Sequence, residues 1–477
     1  MKNYSADGAI AFHTPGHKQG LGAHQLLKNL IAAEGLRQEV SLMEELDDLH
    51  SPHTCIKDAE ILAAELFHAD EVLFFVNGTT SAIQTMLLGT LKPSDLIFVP
   101  RNSHRSVMSG LILSSAIPIF LPVDFDDKLK IPLNLKVETV RQAIEKFPQA
   151  KALIITSPNY YGVAANLKKI SELLHASGMI LLVDEAHGAH LQFGGKILSA
   201  MDSGADLSAQ STHKVLGSMT QTSMLLLKQK FIDAEKIRRT ASLLQTTSPN
   251  QLLLASLDIA RLQMAESGAE KILSAIELSK KIRAEINLID GLKTFDAVEN
   301  FQLDLLKVTV NVEELGLTGI EAEKILRHEF KIQCELSDAT NLLFLLTYAD
   351  TSETISRLVA GAKKLGRRKE ELGIKNNSSF LTPHFSLKSF RTPNFSSAEV
   401  SPREIFFSPS ETVELEKSVG KICAEEITFY PPGIPIINPG EIIDAEILNY
   451  IREMKKIGGR IIGAEDSELS TIKILKV

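Results

Sequence analysis

Short apolar runs rich in β-branched and aromatic residues alternate with amphipathic stretches from about residue 25 to residue 250. Val72–Val76, Leu96–Val99, Ile117–Val123, Ala152–Thr156, Ile180–Val183, Leu207–Gln210 and Ser223–Leu227 read as strands. Helical spacing of apolar positions fills Ser81–Leu91, Val137–Lys146 and Leu167–Ser177 between them. Strands alternating with helices predict βαβ units. Runs that are apolar at successive positions predict a mostly parallel sheet covered on both faces. Seven such runs make one large α/β sheet.

The pattern changes further along. Gln251–Ala265 and Gly268–Leu288 have helical spacing, and apolar runs recur at Leu305–Val312 and Leu342–Leu346. Residues 251–370 are therefore expected to form a smaller α+β domain. Residues 376–410 are rich in Ser, Pro, Asn and Phe and read as a loop-heavy connection within a C-terminal domain, 371–477. Tyr430-Pro431-Pro432-Gly433-Ile434-Pro435 reads as stiff and non-helical. Residues 1–24 read as an N-terminal arm ahead of the large domain, 25–250.

Composition narrows the class. At 477 residues the chain is too long for one simple core. A formal net charge of −8 offers no electrostatic case for nucleic acid or an anionic membrane surface. Three cysteines, Cys55, Cys334 and Cys423, stand far apart and in no CxxC pattern, which argues against a disulfide scaffold or zinc site. The first twenty residues lack a basic-then-apolar leader pattern, and no apolar run is long enough to span a bilayer. A cytoplasmic protein is expected.

Ligands of such sheets bind beyond the carboxyl ends of the strands. The residues found there are Asn77-Gly78-Thr79-Thr80, Arg101-Asn102-Ser103-His104, Ser157-Pro158-Asn159, Asp184-Glu185-Ala186-His187 and Ser211-Thr212-His213-Lys214. Polar, chemically useful groups thus gather on one edge. Asp184 closes one apolar run and Lys214 lies just past the next. An acid and a lysine so placed suit pyridoxal 5'-phosphate, the lysine forming an imine with the aldehyde and the acid facing the ring nitrogen. Gly78, Thr79 and Thr80 at a helix start, with Ser211, offer N–H groups and hydroxyls to a phosphate. His104 can lie on the cofactor ring opposite the small Ala186. His213 can meet the phosphate or deliver a proton.

Each feature has a plainer reading. A strand-end Asp commonly caps a helix, Asn77 is an ordinary N-cap, and most lysines and lone histidines are surface groups. Asp184-Glu185-Ala186-His187 also spells a helicase box, but no Gly-x-x-x-x-Gly-Lys-Ser/Thr loop precedes it. His187 and His190 invite a metal reading that no third ligand at useful spacing supports.

In combination the motifs are specific. Phe12-His13-Thr14-Pro15-Gly16-His17-Lys18-Gln19-Gly20, Asp47-Asp48-Leu49-His50, Asn77-Gly78-Thr79-Thr80, Asn102-Ser103-His104-Arg105-Ser106, Asp184 to His190, Ser211-Thr212-His213-Lys214, Gln245-Thr246-Thr247-Ser248-Pro249 and Tyr430-Pro431-Pro432-Gly433 occur in that order. The chain resembles, over nearly its whole length, the Orn/Lys/Arg decarboxylases of the aspartate-aminotransferase fold (fold type I), in their short form typified by bacterial arginine decarboxylase. The resemblance implies α-decarboxylation of a basic amino acid, arginine first and lysine or ornithine next, in polyamine biosynthesis. Lys214, His213, His104 and Asp184 would be catalytic. Gly78, Thr79, Thr80, His104, Asp184, Ala186, His187, Ser211, His213 and Lys214 would hold the cofactor. It also implies a homodimer or dimer-based oligomer whose active sites are shared, with the arm and Thr246-Thr247-Ser248 reaching the partner. Because the phosphate motif starts at residue 77, the extra N-terminal wing domain of larger relatives is expected to be absent. An acid must read the substrate's distal cation, with Glu44, Glu45, Asp47, Asp48 and Glu441 as candidates. A transaminase or β-lyase on the same fold is the competing enzyme reading, and a catalytically dead regulatory relative is the competing non-enzyme reading.

Overall fold

The computed structural model describes all residues except 9, 127, 297, 372–395, 398–399, 431–433, 458–459 and 477. The seven expected runs form one sheet: β1 Glu71–Phe75, β2 Leu96–Pro100, β3 Ile117–Leu121, β4 Ala152–Thr156, β5 Ile180–Asp184, β6 Leu207–Gln210 and β7 Ser223–Leu227. Their spatial order is β1-β7-β6-β5-β4-β2-β3, and Ser396–Ser397 adds a short antiparallel edge beside β3. Neighbours from β6 to β3 run parallel, whereas β7 is antiparallel to both β1 and β6. β1 therefore points the same way as β2 to β6. The start of β7, not its end, lies at their carboxyl edge.

Helices α1 Gly78–Thr90, α2 Arg105–Ser114, α3 Val137–Lys146 and α4 Leu167–Ala176 connect the strands, and a four-residue helix, α5 Thr212–Val215, follows β6. Every residue of β6 and β7 is buried. Two core clusters sandwich the sheet, which is why its strands are apolar without alternation.

The two helical patterns after residue 250 join as α6, Gln251–Ile286, with non-helical backbone at Ser267 marking the break between them. Lys293–Thr294, Lys307–Asn311, Leu336–Ser337 and Asn341–Leu345 form a four-stranded antiparallel sheet beyond it. One core cluster runs from Leu49 to Leu365, so the small sheet and α6 pack on the same apolar mass as one face of the large sheet. Leu415 to Ile474 form a separate core between short strands and the helix Ala445–Ile457. The expected loop-heavy connection and the Pro431–Gly433 turn fall mainly or wholly outside the described residues. Among the described residues no helix is long and apolar enough to cross a membrane.

Candidate active site

Parallel strands deliver their carboxyl ends to one edge, and the candidate residues meet there. Thr156 pairs with Asp184, and Asp184 with Ala209, so the acid closes a strand in the middle of the sheet. Asp184 is buried; its carboxylate accepts from the Ala186 N–H at 3.1 Å and from the Thr156 hydroxyl at 3.5 Å. It caps no helix. Its charge reaches both His104 and Lys214.

Lys214 sits on α5, one turn beyond β6. Burial lowers its pKa, opposed by the fields of Asp184 and Glu335. An amine so placed deprotonates more easily than a surface lysine. Gly217, three residues on, is packed closely: a Cβ there would lie 2.5 Å from the Tyr348 hydroxyl.

Thr79 and Ser211 are buried and joined by a short hydroxyl–hydroxyl hydrogen bond; Thr79 also reaches Ser223 Oγ at 2.9 Å. Ser223 opens β7, which is how the antiparallel strand contributes here. Thr80, one position on, is exposed, and Gly78 opens α1 at φ +77° with its N–H on the Gln221 carbonyl. His104 caps α2, its Nδ1 accepting from the Ser106 N–H at 3.2 Å, which leaves the proton on Nε2. Desolvation lowers the His104 pKa although the side chain still meets solvent; Asp184 raises it, and Lys214 lowers it further. His213 donates from Nδ1 to the Thr222 carbonyl at 2.8 Å, so its Nε2 presents a lone pair. Burial lowers its pKa too.

His187 does not stand with the hydroxyls. It lies buried between two lysines, with Lys214 Nζ 3.1 Å from Nε2 and Lys307 Nζ 2.7 Å from Nδ1. Burial, then the charges of Lys307 and Lys214, hold its pKa well below the ordinary histidine value. The Tyr160 ring lies 4.6 Å from the His187 ring, and Lys214 Nζ stands 5.8 Å from the Tyr160 centroid. His190 turns away, to Asp304 at 3.1 Å.

Lys307, Tyr160, Glu335 and Ser223 were missed by sequence reasoning. Only Lys307 left a signal: a lysine inside the apolar run Leu305–Val312, fully buried in the structure. Of the distal-acid candidates, Asp47 is buried and accepts N–H bonds from His53, Thr54 and Ile56, which pull its pKa down to about 2 against the opposing effect of burial. Glu441 is ion-paired with Arg101. Asp48 accepts from the His50 N–H. Glu335 is the exposed acid whose field reaches Lys214 and Lys307.

Comparison with known proteins decides the family. The model of the Orn/Lys/Arg decarboxylase major domain matches residues 1–309, and that of the C-terminal domain matches residues 387–467. The chain belongs to the Orn/Lys/Arg decarboxylase family. It is 40% identical to the arginine decarboxylase of Halalkalibacterium halodurans, over 98% of this chain and 94% of that one. It is 37% identical to that of Bacillus subtilis, over 100% and 96%. The lysine decarboxylase LdcF of Francisella novicida superposes with a TM-score of 0.86 over 99% of this chain and 80% of that one, at 22% identity. A ureidoglycine–glyoxylate aminotransferase of Bacillus subtilis superposes at 0.56 over 70% and 87%, at 14% identity. The fold is therefore the expected type I fold, which this decarboxylase family shares with aminotransferases.

Proposed function

We propose that this family member decarboxylates L-arginine to agmatine with pyridoxal phosphate bound at the carboxyl edge of the large sheet. One observation carries the reading: the charge of Asp184 is felt by both His104 and Lys214, and that of Lys214 by His104. The donor set suits the cofactor. An amine stands ready for the aldehyde, a buried acid for the ring nitrogen, and hydroxyls with a helix N-terminus for the phosphate. Full-length similarity to arginine decarboxylases, against about 25% identity to lysine decarboxylases, favours arginine among the basic amino acids.

The bound cofactor supplies an aldehyde and an electron-accepting ring. The chain supplies the rest. Lys214 would offer the amine that holds the cofactor aldehyde. Asp184 would keep the ring nitrogen protonated, and His104 and Ala186 would flank the ring. Thr79, Thr80, Ser211 and the start of α1 form the phosphate end. His213, its Nδ1 committed to Thr222, would take up a proton at Nε2 before delivering it to Cα, or Lys214 would deliver one. Glu335 is the acid in place for the distal guanidinium.

A homodimer completes the reading. Ile10, Phe12 and Leu21 of the arm and Leu26 and Leu30 just after it are exposed, Phe12 at 92%, as are Thr246 to Ser248, and a second copy of the chain would cover them.

The test is to incubate the enzyme with arginine, lysine or ornithine and identify agmatine, cadaverine or putrescine with the carbon dioxide released. Cadaverine or putrescine as the preferred product shifts the substrate. Keto acid without carbon dioxide overturns the reaction.

A further inference from the structure

His187 bridges Lys214 and Lys307 by direct contact, and its chemistry constrains both. A neutral imidazole has one N–H and one lone pair, whereas an ammonium has three N–H groups and no lone pair. Contacts of 3.1 Å at Nε2 and 2.7 Å at Nδ1 can both be hydrogen bonds only if one lysine is a neutral amine accepting from the ring. The two lysines then carry at most one positive charge between them.

The surroundings do not settle that charge on one side. Lys214 faces Asp184 and Glu335, with His104 beside them; Lys307 faces Asp304 and Glu335. His187 itself faces His104 and His190, with Tyr160 against its ring. Asp304 is fixed in turn by His190 and by the Leu306 N–H at 3.0 Å. Each lysine thus has a buried carboxylate of its own, the arrangement a reversible proton exchange requires.

Lys307 is held there deliberately by the backbone. It opens a strand paired to Leu345, and its carbonyl accepts from Arg283. Its stem passes over Gly162, where a Cβ would come within 2.8 Å of the Lys307 Cβ. Burying an ammonium beyond reach of solvent has no packing rationale, since an apolar side chain would fill the same space at less cost.

We propose that His187 passes protons between Lys214 and Lys307, so that Lys307 stores the proton Lys214 must lose to become a nucleophile. The Lys214 ammonium gives a proton to Nε2 while Nδ1 gives its own to the Lys307 amine. The products are a neutral Lys214 amine, the other ring tautomer and a Lys307 ammonium, and the reverse step returns the proton. Lys307 acts through His187 and is a positioning residue. The inference rests on Lys214 being the amine that meets the cofactor aldehyde.

Competitive acetylation of the full-length chain, stripped of cofactor, reads the proton affinity of Lys214 by peptide mass spectrometry across pH. In Lys307→Met the pH of half-reaction at Lys214 should rise by about one unit, so that labelling at pH 8 falls about tenfold. His187→Gln, which keeps a polar side chain without exchangeable ring tautomers, should move it the same way. An unchanged or lowered midpoint in Lys307→Met overturns the proposal. So does a shift in Lys307→Met that His187→Gln lacks, since the link would then run through space. If Lys307→Met does not fold, the His187→Gln profile decides alone. Failure of the underlying reading shows separately, as a borohydride-fixed pyridoxal phosphate adduct that persists in Lys214→Ala.

Discussion

Arg101 and Glu441 meet at 2.7 Å, joining the loop after β2 to the C-terminal core, with both side chains largely out of solvent. Glu441 also accepts from the backbone and side chain of Asn438, each at 3.1 Å. Removing Glu441 takes from the nearly buried Arg101 guanidinium its carboxylate partner. Glu441→Ala should cost about 3 kcal/mol in chemical denaturation. Preference among arginine, lysine and ornithine should stay the same; an altered preference would return Glu441 to the substrate site.

Glu335 should behave in the opposite way. Glu335→Gln is expected to raise KM for arginine by about tenfold or more, the loss of a charge-assisted hydrogen bond of about 1.5–3 kcal/mol, with little change in stability. Because Glu335 raises the pKa of Lys214 and Lys307, its removal should also move the limb of the pH–rate profile set by those amines to lower pH. Steady-state kinetics across pH measures both effects.

Glu185 is fully buried, and burial pushes its pKa up to about 7 even though Ser208, Gln210 and the Ala200 N–H bind its carboxylate. The folded protein therefore holds a proton that the unfolded chain releases near pH 4.5. Its contribution is full below that pH, is lost as pH rises to about 7, and is flat above. The loss is of the order of 3 kcal/mol. Glu60, raised to about 7 by burial against the pull of Arg238, adds a second contribution of the same sign. Glu185→Gln should flatten about half of this fall, measured as denaturation midpoints from pH 4 to pH 8.

Gly162 sits at φ +85° with Lys307 packed over it. Gly162→Ala adds left-handed strain of about 1–2 kcal/mol and pushes the Lys307 stem aside. It should lower the melting temperature and raise the acetylation midpoint of Lys214 in the same direction as Lys307→Met. A lowered melting temperature with an unmoved midpoint would show that the lysine stem tolerates displacement.

Most of the large sheet was legible before any coordinates. Apolar strands bounded by polar turns are a local pattern, and Ala152–Thr156, Leu207–Gln210, Ser223–Leu227 and Val137–Lys146 match their expected bounds. Asp184, Lys214, His104, Thr79 and Ser211 were also legible, because strand ends are where a parallel sheet presents chemistry. The direction of β7 was not. Periodicity marks a strand and its two faces but not which way it runs, so Ser223 was counted as sheet and not as a partner of Thr79.

The chain's own pattern settled the elements, the edge on which the polar groups gather, and the acid and lysine at its centre, since each depends on neighbours close in sequence. Tertiary structure alone decided what lies across the site. Lys307 opens a strand of the small antiparallel sheet and Glu335 directly precedes another, both more than a hundred residues from His187, and they reach the site only because that sheet packs on the same core. It also decided that Asp47 meets backbone N–H groups and Glu441 meets Arg101, partners that no spacing in the sequence announces. Long-range packing, which no local spacing encodes, placed a histidine between two lysines.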